Sequence, residues 1–426
     1  MRTLIAWIED RRIGSFSEAP QADGGDLFAF EYEASTSRDI VSLTMVPTPD
    51  DLRFETRTFP APFDMILPEG EQRQRIEEAR KIFRTDSFSL LSYVGANPIN
   101  RVRFLTPGTM PQNDPPDLPP PPEIAKCTKG RKLFRDLLEA LDLRQGIAGV
   151  QPKILGAPSE RAKLSPQLRQ FRGSTHILKS STTRFPFLAT NEQVCLEVFK
   201  AAGLAIPNTT LSADGELLLV DRFDIRDGKC IGFEEAAALM GETSASKYAR
   251  DYGSLIMSLT KFVRPETEDK MCVDVVKAIV LNHLIGNGDA HLKNFGVLYT
   301  DSTDVSLAPF YDCISTLPYI PNDVPALALS LDWYSKAWWP RVKIEEFARD
   351  YGDLSHAEVT ALIDECIDAV MGGVAALPRY KNEIPAFSKL ANQMAEIWTG
   401  RVTAFAEEQS IVKRKRARKT VRGRKP

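Results

Sequence analysis

Apolar and polar residues alternate over short stretches early in the chain and recur at helical spacing later. Thr3 to Ile8 reads as a strand, a turn follows at Asp10–Arg12, further short apolar runs come next, and Glu71 to Phe83 carries a helical pattern. Between Arg131 and Leu141, the residues Leu133, Phe134, Leu137, Leu138 and Leu141 share one helix face. A glycine-containing turn, Gly146 to Gly149, leads to a strand ending near Leu155, and Ser174 to Lys179 predicts another. Thr190 takes an N-cap position ahead of a helix over Glu192–Ala202, which Gly203 stops. Thr209–Leu211 and Leu217–Val220 flank a turn at Asp214–Gly215, a hairpin pattern. From about Glu234 onward helical patterns dominate, so a sheet-rich half precedes a helix-rich half, the α+β order.

Proline changes this picture at one place. Residues 107–122 hold eight prolines in sixteen positions, ending in four consecutive ones. Such a segment cannot sit inside a sheet or continue a helix, so it predicts a semi-rigid spacer or surface strap at a boundary. The 426 residues, 43% apolar and 26% charged, suit a globular chain of about three units. The most apolar long stretch, Val273–Ile285, is interrupted by Asp274, Lys277, Asn282 and His283, which is too polar to span a bilayer. Only Leu4–Ile8 follows Arg2 before Glu9 and Asp10, so no secretory signal is expected. Nine of the 54 Lys and Arg residues lie after Ile411, leaving 45 against 57 acids in residues 1–412, a net of −12. An acidic body with a basic tail argues against general nucleic-acid binding by the body. Cys127, Cys195, Cys230, Cys272, Cys313 and Cys366 lack the close pairing of thiolate metal sites and read as free thiols in a reducing cytoplasm.

The chemistry concentrates in Leu281–Thr316. A helix from about Val273 stops at Gly286, and the loop Asn287–Asn294 bears Asp289, His291, Lys293 and Asn294. Phe295–Tyr299 and Val305–Leu307 form a hairpin, after which comes Asp312. A short hairpin returns the chain to the edge it left, so Asp289, Asn294 and Asp312 can converge. Mg²⁺ takes a few hard oxygens beside phosphate and water, which Asn294 and Asp312 offer, leaving Asp289 to orient an acceptor hydroxyl and take its proton. The D-x-x-x-x-N spacing and later Asp match the phosphoryl-transfer pattern of protein kinases.

Upstream, Lys179 ends the His176–Ile177–Leu178 strand with an amine that can reach phosphate oxygens. Glu192, or alternatively Glu197, can pair with it. The hairpin leads to Val220–Asp221–Arg222–Phe223–Asp224, where a connector between lobes would pass, with Asp224 placed for a ribose. Gly146–Lys153 departs from G-x-x-x-x-G-K-[ST], which rules against an ordinary P-loop NTPase.

The series GVQPK (149–153), HILK (176–179), NE (191–192), DRFD (221–224), GNGDAHLKNF (286–295) and APFYD (308–312), with FDMILPEG (63–70), resembles the HipA family of serine/threonine kinases, toxins of bacterial HipBA modules. The resemblance covers about residues 3–400. It implies an α+β, two-lobed protein-kinase-like fold with an extra N-terminal α+β subdomain and a helix-rich C-terminal lobe. It also implies ATP and Mg²⁺, transfer to a serine or threonine of a protein, and a HipB-like helix-turn-helix antitoxin that brings the kinase to DNA. In the best-known relatives the target is an aminoacyl-tRNA synthetase. By position, Asp289 would be the base and Asn294 and Asp312 the metal ligands. Lys179, Gln151, Lys153 and Glu192 would serve the phosphates, with His291 beside them, and Asp221, Phe223 and Asp224 the nucleoside. The expected division is 1–106 N-terminal subdomain, 107–122 linker, 123–225 N-lobe with phosphate loop and hinge, 226–410 helical C-lobe, and 411–426 a basic disordered tail.

Gly146 stands where many relatives carry an inhibitory autophosphorylation serine, and Ser180 and Ser181 read as solvated loop serines. His176, His283 and His356 read as packed or capping residues, and the cluster Trp333, Tyr334, Trp338 and Trp339 as core or, alternatively, a partner surface. The tail lacks aromatics and either is solvated or holds nucleic-acid phosphates electrostatically. Two other readings remain: an aminoglycoside- or choline-type kinase, although Asn287–Gly288 replaces the usual His-Gly, and a catalytically silent repressor subunit.

Overall fold

The computed structural model describes the chain except residues 35–37, 113–114, 141–150, 159–163, 165–167, 169–170, 172, 321–325, 332–335 and 423–426. The Gly146–Gly149 turn, Trp333 and Tyr334 therefore lie outside the described residues.

The first unit is built on strands β1 (Arg2–Ile8), β2 (Arg11–Pro20), β3 (Asp26–Tyr32), β4 (Arg53–Thr56) and β5 (Val102–Leu105), antiparallel in the order β4-β3-β2-β1-β5. Register explains its core. Leu4 faces Phe16, Phe16 faces Phe30 and Phe30 faces Phe54, one apolar row across four strands. Phe63, from the one-turn helix Ala61–Asp64, meets Phe16 edge-on with centroids 4.7 Å apart.

The second sheet comprises β6 (Asp117–Leu118), β7 (Lys153–Pro158), β8 (His176–Ser180), β9 (Thr209–Leu211) and β10 (Leu217–Asp221), ordered β6-β7-β8-β10-β9. The proline-rich strap supplies β6, which runs parallel to β7, and Ala157 N–H donates to the Pro116 carbonyl at 2.9 Å. The strap is thus more than a spacer, and it takes an edge position because proline carries no N–H for a second neighbour. Its last prolines open the helix Pro121–Lys126, where a missing N–H costs nothing.

Two local expectations are corrected. The helix after β8 runs Leu188–Ala201, so Thr190 is not its N-cap; its hydroxyl donates instead to the Gly215 carbonyl at 2.7 Å. Ser180 and Ser181 are buried rather than solvated, because Ser180 belongs to β8 and the Ser181 hydroxyl accepts from the Ala189 N–H.

Beyond β10 come the small hairpin β11 (Ile225–Arg226) and β12 (Lys229–Cys230), and a sheet of β13 (Gly232–Glu235), β14 (Gly296–Tyr299) and β15 (Val305–Leu307). Helices Tyr252–Thr260, Pro265–Ile285, Arg341–Gly352, His356–Glu383 and Ser388–Arg422 enclose the largest core, which includes the fully buried Trp398. Trp338 and Trp339 pack against that core. The backbone of the last helix continues to Arg422, so the basic tail is helical over most of its length; Lys, Arg and Ala are strong helix formers. Among the described residues no helix is long and apolar enough to cross a membrane.

Candidate active site

The loop 286–294 is shaped by its own polar side chains. Gly286 ends the preceding helix in the left-handed region (φ 68°), where a Cβ would be strained, and turns the chain sharply. Asn287 Nδ2 donates to Asn282 Oδ1 at 2.8 Å, while Asn287 Oδ1 accepts the Asp289 N–H at 2.9 Å. Gly288 N–H donates to the Thr316 hydroxyl, tying the loop to the segment after Asp312. A 3₁₀ turn, Leu292–Asn294, brings Asn294 Oδ1 back to the His291 N–H at 3.0 Å.

Asp312 adopts φ 53°, the left-handed region that Asp tolerates better than most residues, at the point where its carboxylate meets two lysines. Lys153 Nζ lies 3.3 Å from Oδ2, and Lys179 bonds Oδ1. The Lys179 amine also donates to Glu192 Oε1 at 2.5 Å, with both side chains buried. Burial opposes the charge on Asp312, yet Lys153 and Lys179 hold its carboxyl well below the usual range. Burial likewise opposes the Lys179 charge, and Asp312 and Glu192 outweigh it. Glu197 turns away to Arg379 and Tyr380. Asn191 bridges the lobes: its Nδ2 donates to the Ser315 carbonyl at 2.9 Å and its Oδ1 accepts the Ser315 N–H at 2.8 Å.

At the connector, Asp221 receives His176 Nε2 at 3.1 Å and Asn208 Nδ2 at 3.3 Å, with its side chain still 26% exposed. Asp224 is different. Arg222 grips both its oxygens, at 2.9 and 2.6 Å, and the pair is buried. That fork consumes the carboxylate, which corrects the expectation that Asp224 meets a ribose; the acid with an exposed face is Asp221. Phe223 forms an aromatic trio with Phe233 and Tyr311, centroids 5.4 and 5.6 Å away.

A second ionic cluster was not foreseen. Glu69, in the N-terminal unit, forms an ion pair with Lys293 at 2.7 Å and accepts from Lys247 at 2.8 Å; Lys293 also approaches Glu235 at 3.3 Å and donates to Ser244 Oγ at 3.1 Å. Burial would raise the Glu69 carboxyl, but Lys293 and Lys247 pull it down to about 2. Burial prevails at Glu235 and pushes it up to about 7. Glu69 belongs to FDMILPEG, a segment with no chemical signature of its own, and nothing in the sequence aims it at the Asp289 loop.

These parts meet at one cavity of about 710 Å³. Asp289, Asn294, Asp312 and His291 line it from one side, Gln151, Lys153, Lys179 and Glu192 from another. Asp221, Phe223 and Asp224 lie at the connector, and Met65, Glu69 and Ile99 reach in from the N-terminal unit. Burial raises the Asp289 carboxyl above its ordinary range. Burial lowers His291 to about 3, so its imidazole is neutral, and its Nδ1 has no partner among the described residues. His176 and His283 are buried, whereas His356 is exposed at the start of its helix. All six cysteines are unpaired.

Two family profiles match this chain: the HipA N-terminal domain over residues 4–105 and the HipA-like C-terminal domain over residues 145–374. The chain belongs to the HipA family, and its two-lobed α+β architecture with an added N-terminal unit is the kinase-like fold of that family. Among curated relatives, Y4mE of Sinorhizobium fredii, which bears a kinase name, is 27% identical over 87% of this chain and 91% of its own length. The serine/threonine-protein kinase toxin HipA of Shewanella oneidensis is 24% identical over 63% of this chain and 65% of its own. A solved structure of Shewanella oneidensis HipA with HipB and operator DNA matches in fold, with a TM-score of 0.64 at 19% identity, over 95% of this chain and 99% of the other.

Proposed function

We propose that this chain is a protein kinase that transfers the γ-phosphate of ATP to a serine or threonine of a protein target and pairs with a HipB-like DNA-binding antitoxin in the cytoplasm. The observation that carries the reading is the meeting of Lys179, Glu192 and Asp312 in the same cavity that Asp289 lines.

The donor set suits Mg²⁺. Asp312 stays ionised beside its lysines, and Asn294 adds an amide oxygen, so these two would hold the ion, which when bound neutralises phosphate charge. Lys179, fixed by Glu192, binds phosphate oxygens, with Lys153 and Gln151 on the same wall. Phe223, Met65 and Ile99 offer apolar surface to the base, and Asp221 offers an acceptor to the ribose. Asp289 orients the acceptor hydroxyl. As the hydroxyl oxygen bonds to the γ-phosphorus and the bond to the β-phosphate oxygen breaks, the proton passes to the Asp289 carboxylate and ADP leaves. Its raised affinity for a proton suits that task. Neutral His291 can hydrogen-bond a phosphate without adding charge.

The test is incubation of purified protein with labelled Mg-ATP and a bacterial lysate, followed by phosphopeptide mapping, with Asp289→Ala as control. Label on serine or threonine of one protein, lost in the variant, is the expected result. Label on a small molecule would transfer the reading to a metabolite kinase. Nucleotide binding with no transfer would favour a silent subunit.

A further inference from the structure

The Asp289 carboxylate has a partner that belongs to no motif. Tyr248 lies in the turn-rich segment between helices Ala236–Leu239 and Tyr252–Thr260. Its phenol donates to Asp289 Oδ1 at 2.5 Å, and its ring packs edge-on against His291 with centroids 5.0 Å apart. The residue lines the cavity yet is 39% exposed. Lys336 Nζ donates to its carbonyl at 3.0 Å and sits 5.2 Å above its ring, while its neighbour Lys247 is anchored on Glu69. The segment is therefore held at the Tyr248 carbonyl and at the Lys247 side chain, while the Tyr248 side chain stays partly exposed.

A general base removes a proton across a hydrogen bond of about 2.6–3.2 Å. An acceptor hydroxyl has to make the contact that the phenol makes. We propose that Tyr248 gates Asp289: without an acceptor its phenol takes the acceptor's place and withholds the base from water, and an incoming hydroxyl displaces it by rotating the ring outward. This gate rests on the phosphotransfer reading above. The phenol serves as a placeholder rather than a nucleophile because burial and the Asp289 charge make it hold its proton more tightly than a free tyrosine. A base available for only part of the time lowers the apparent affinity for any acceptor by that fraction.

The experiment compares wild type, Tyr248→Phe and the Tyr248→Phe/Asp289→Asn double variant with Mg-ATP alone, water being the acceptor. Removing the phenol loses one hydrogen bond to a charged group, so Tyr248→Phe should hydrolyse ATP about tenfold faster than wild type. The double variant should lose that gain. A merely structural tyrosine would lower hydrolysis when truncated, so unchanged or reduced hydrolysis in Tyr248→Phe overturns the gate while leaving the kinase reading intact. Phosphotyrosine at position 248 would also overturn it, since the phenol would then be an acceptor. A separate measurement follows the phenol by its near-ultraviolet ionisation, as the wild-type minus Tyr248→Phe difference. Asp289→Asn should make that phenol ionise at lower pH. If the ionisation shifts as expected but no form hydrolyses or transfers phosphate, the phosphotransfer reading has failed and the gate falls with it.

Discussion

Two ionic clusters flank the cavity, and they are built for different tasks. Around Asp312, two lysines from the second sheet converge on one carboxylate, and Glu192 from the following helix holds one of them, Lys179. Around Lys293, Glu69 and Glu235 converge on a lysine of the Asp289 loop, and Glu69 brings Lys247 with it. The first joins the two lobes that would grip a nucleotide. The second joins the N-terminal unit to the loop that carries Asp289, the proposed base. In the first cluster, cations outweigh the burial of Asp312 and fix its charge. In the second, burial pushes Glu235 up to about 7 while the lysines draw Glu69 down to about 2. A charge that is fixed can serve a ligand, whereas a charge that is shared among buried neighbours mainly sets position.

Substitutions can break this contrast. The largest effect belongs to Lys179→Met, which removes the cation proposed to bind phosphate and strands Glu192 in the interior. Mg-ATP turnover should fall about 10³-fold, and thermal unfolding should register a loss of about 3 kcal/mol. Glu69→Gln should act more gently. It keeps the shape but not the charge, lets the Asp289 loop shift, and should lower turnover about tenfold without weakening nucleotide binding, as checked by separate kinetic and nucleotide-titration measurements. Equal losses of nucleotide affinity in both variants would erase the distinction between a ligand-binding and a positioning cluster.

The smallest effect is in pH dependence. Glu235 has a native pKa of about 7 against an ordinary 4.5, so the native state holds a proton that the unfolded chain has released, and stability falls as pH rises through that window. Glu69, drawn down to about 2, works the other way: its contribution is present above about 4.5 and lost as pH falls toward 2. Glu234 is also raised by burial to about 7, accepting from the Ser42 hydroxyl and the Leu43 N–H of the N-terminal unit. Glu235→Gln should therefore make the stability decline between ~pH 5 and ~pH 7 shallower, measured by denaturant unfolding at several pH values. An unaltered slope would mean that Glu235 stays ionised beside Lys293.

The two clusters also differ in how far the chain announces them. Much of the Asp312 cluster was visible because its members sit near the boundaries of predictable elements: Lys179 lies next to the last residue of a strand, Glu192 in the second turn of a helix, and Asp312 follows a short hairpin. The same logic exposed Asp289 and Asn294 beyond a glycine-stopped helix. It misled at Asp224, because composition cannot show that Arg222, two residues earlier, folds back on it. It misled at Ser180 and Ser181 because polar residues in a short segment look solvated until a helix start is packed on them.

Local patterning thus determined the strands, the helices and the loops whose chemistry depends on residue type and spacing, since dihedral preference and hydrophobic period act over a few residues. Only the tertiary structure decided that Glu69, more than two hundred residues away, clamps Lys293, that Tyr248 meets Asp289, and that Met65 and Ile99 wall the cavity. Those contacts arise where separately folded faces are pressed together. Coulomb attraction and desolvation depend on distance through space, and separation along the chain does not encode it.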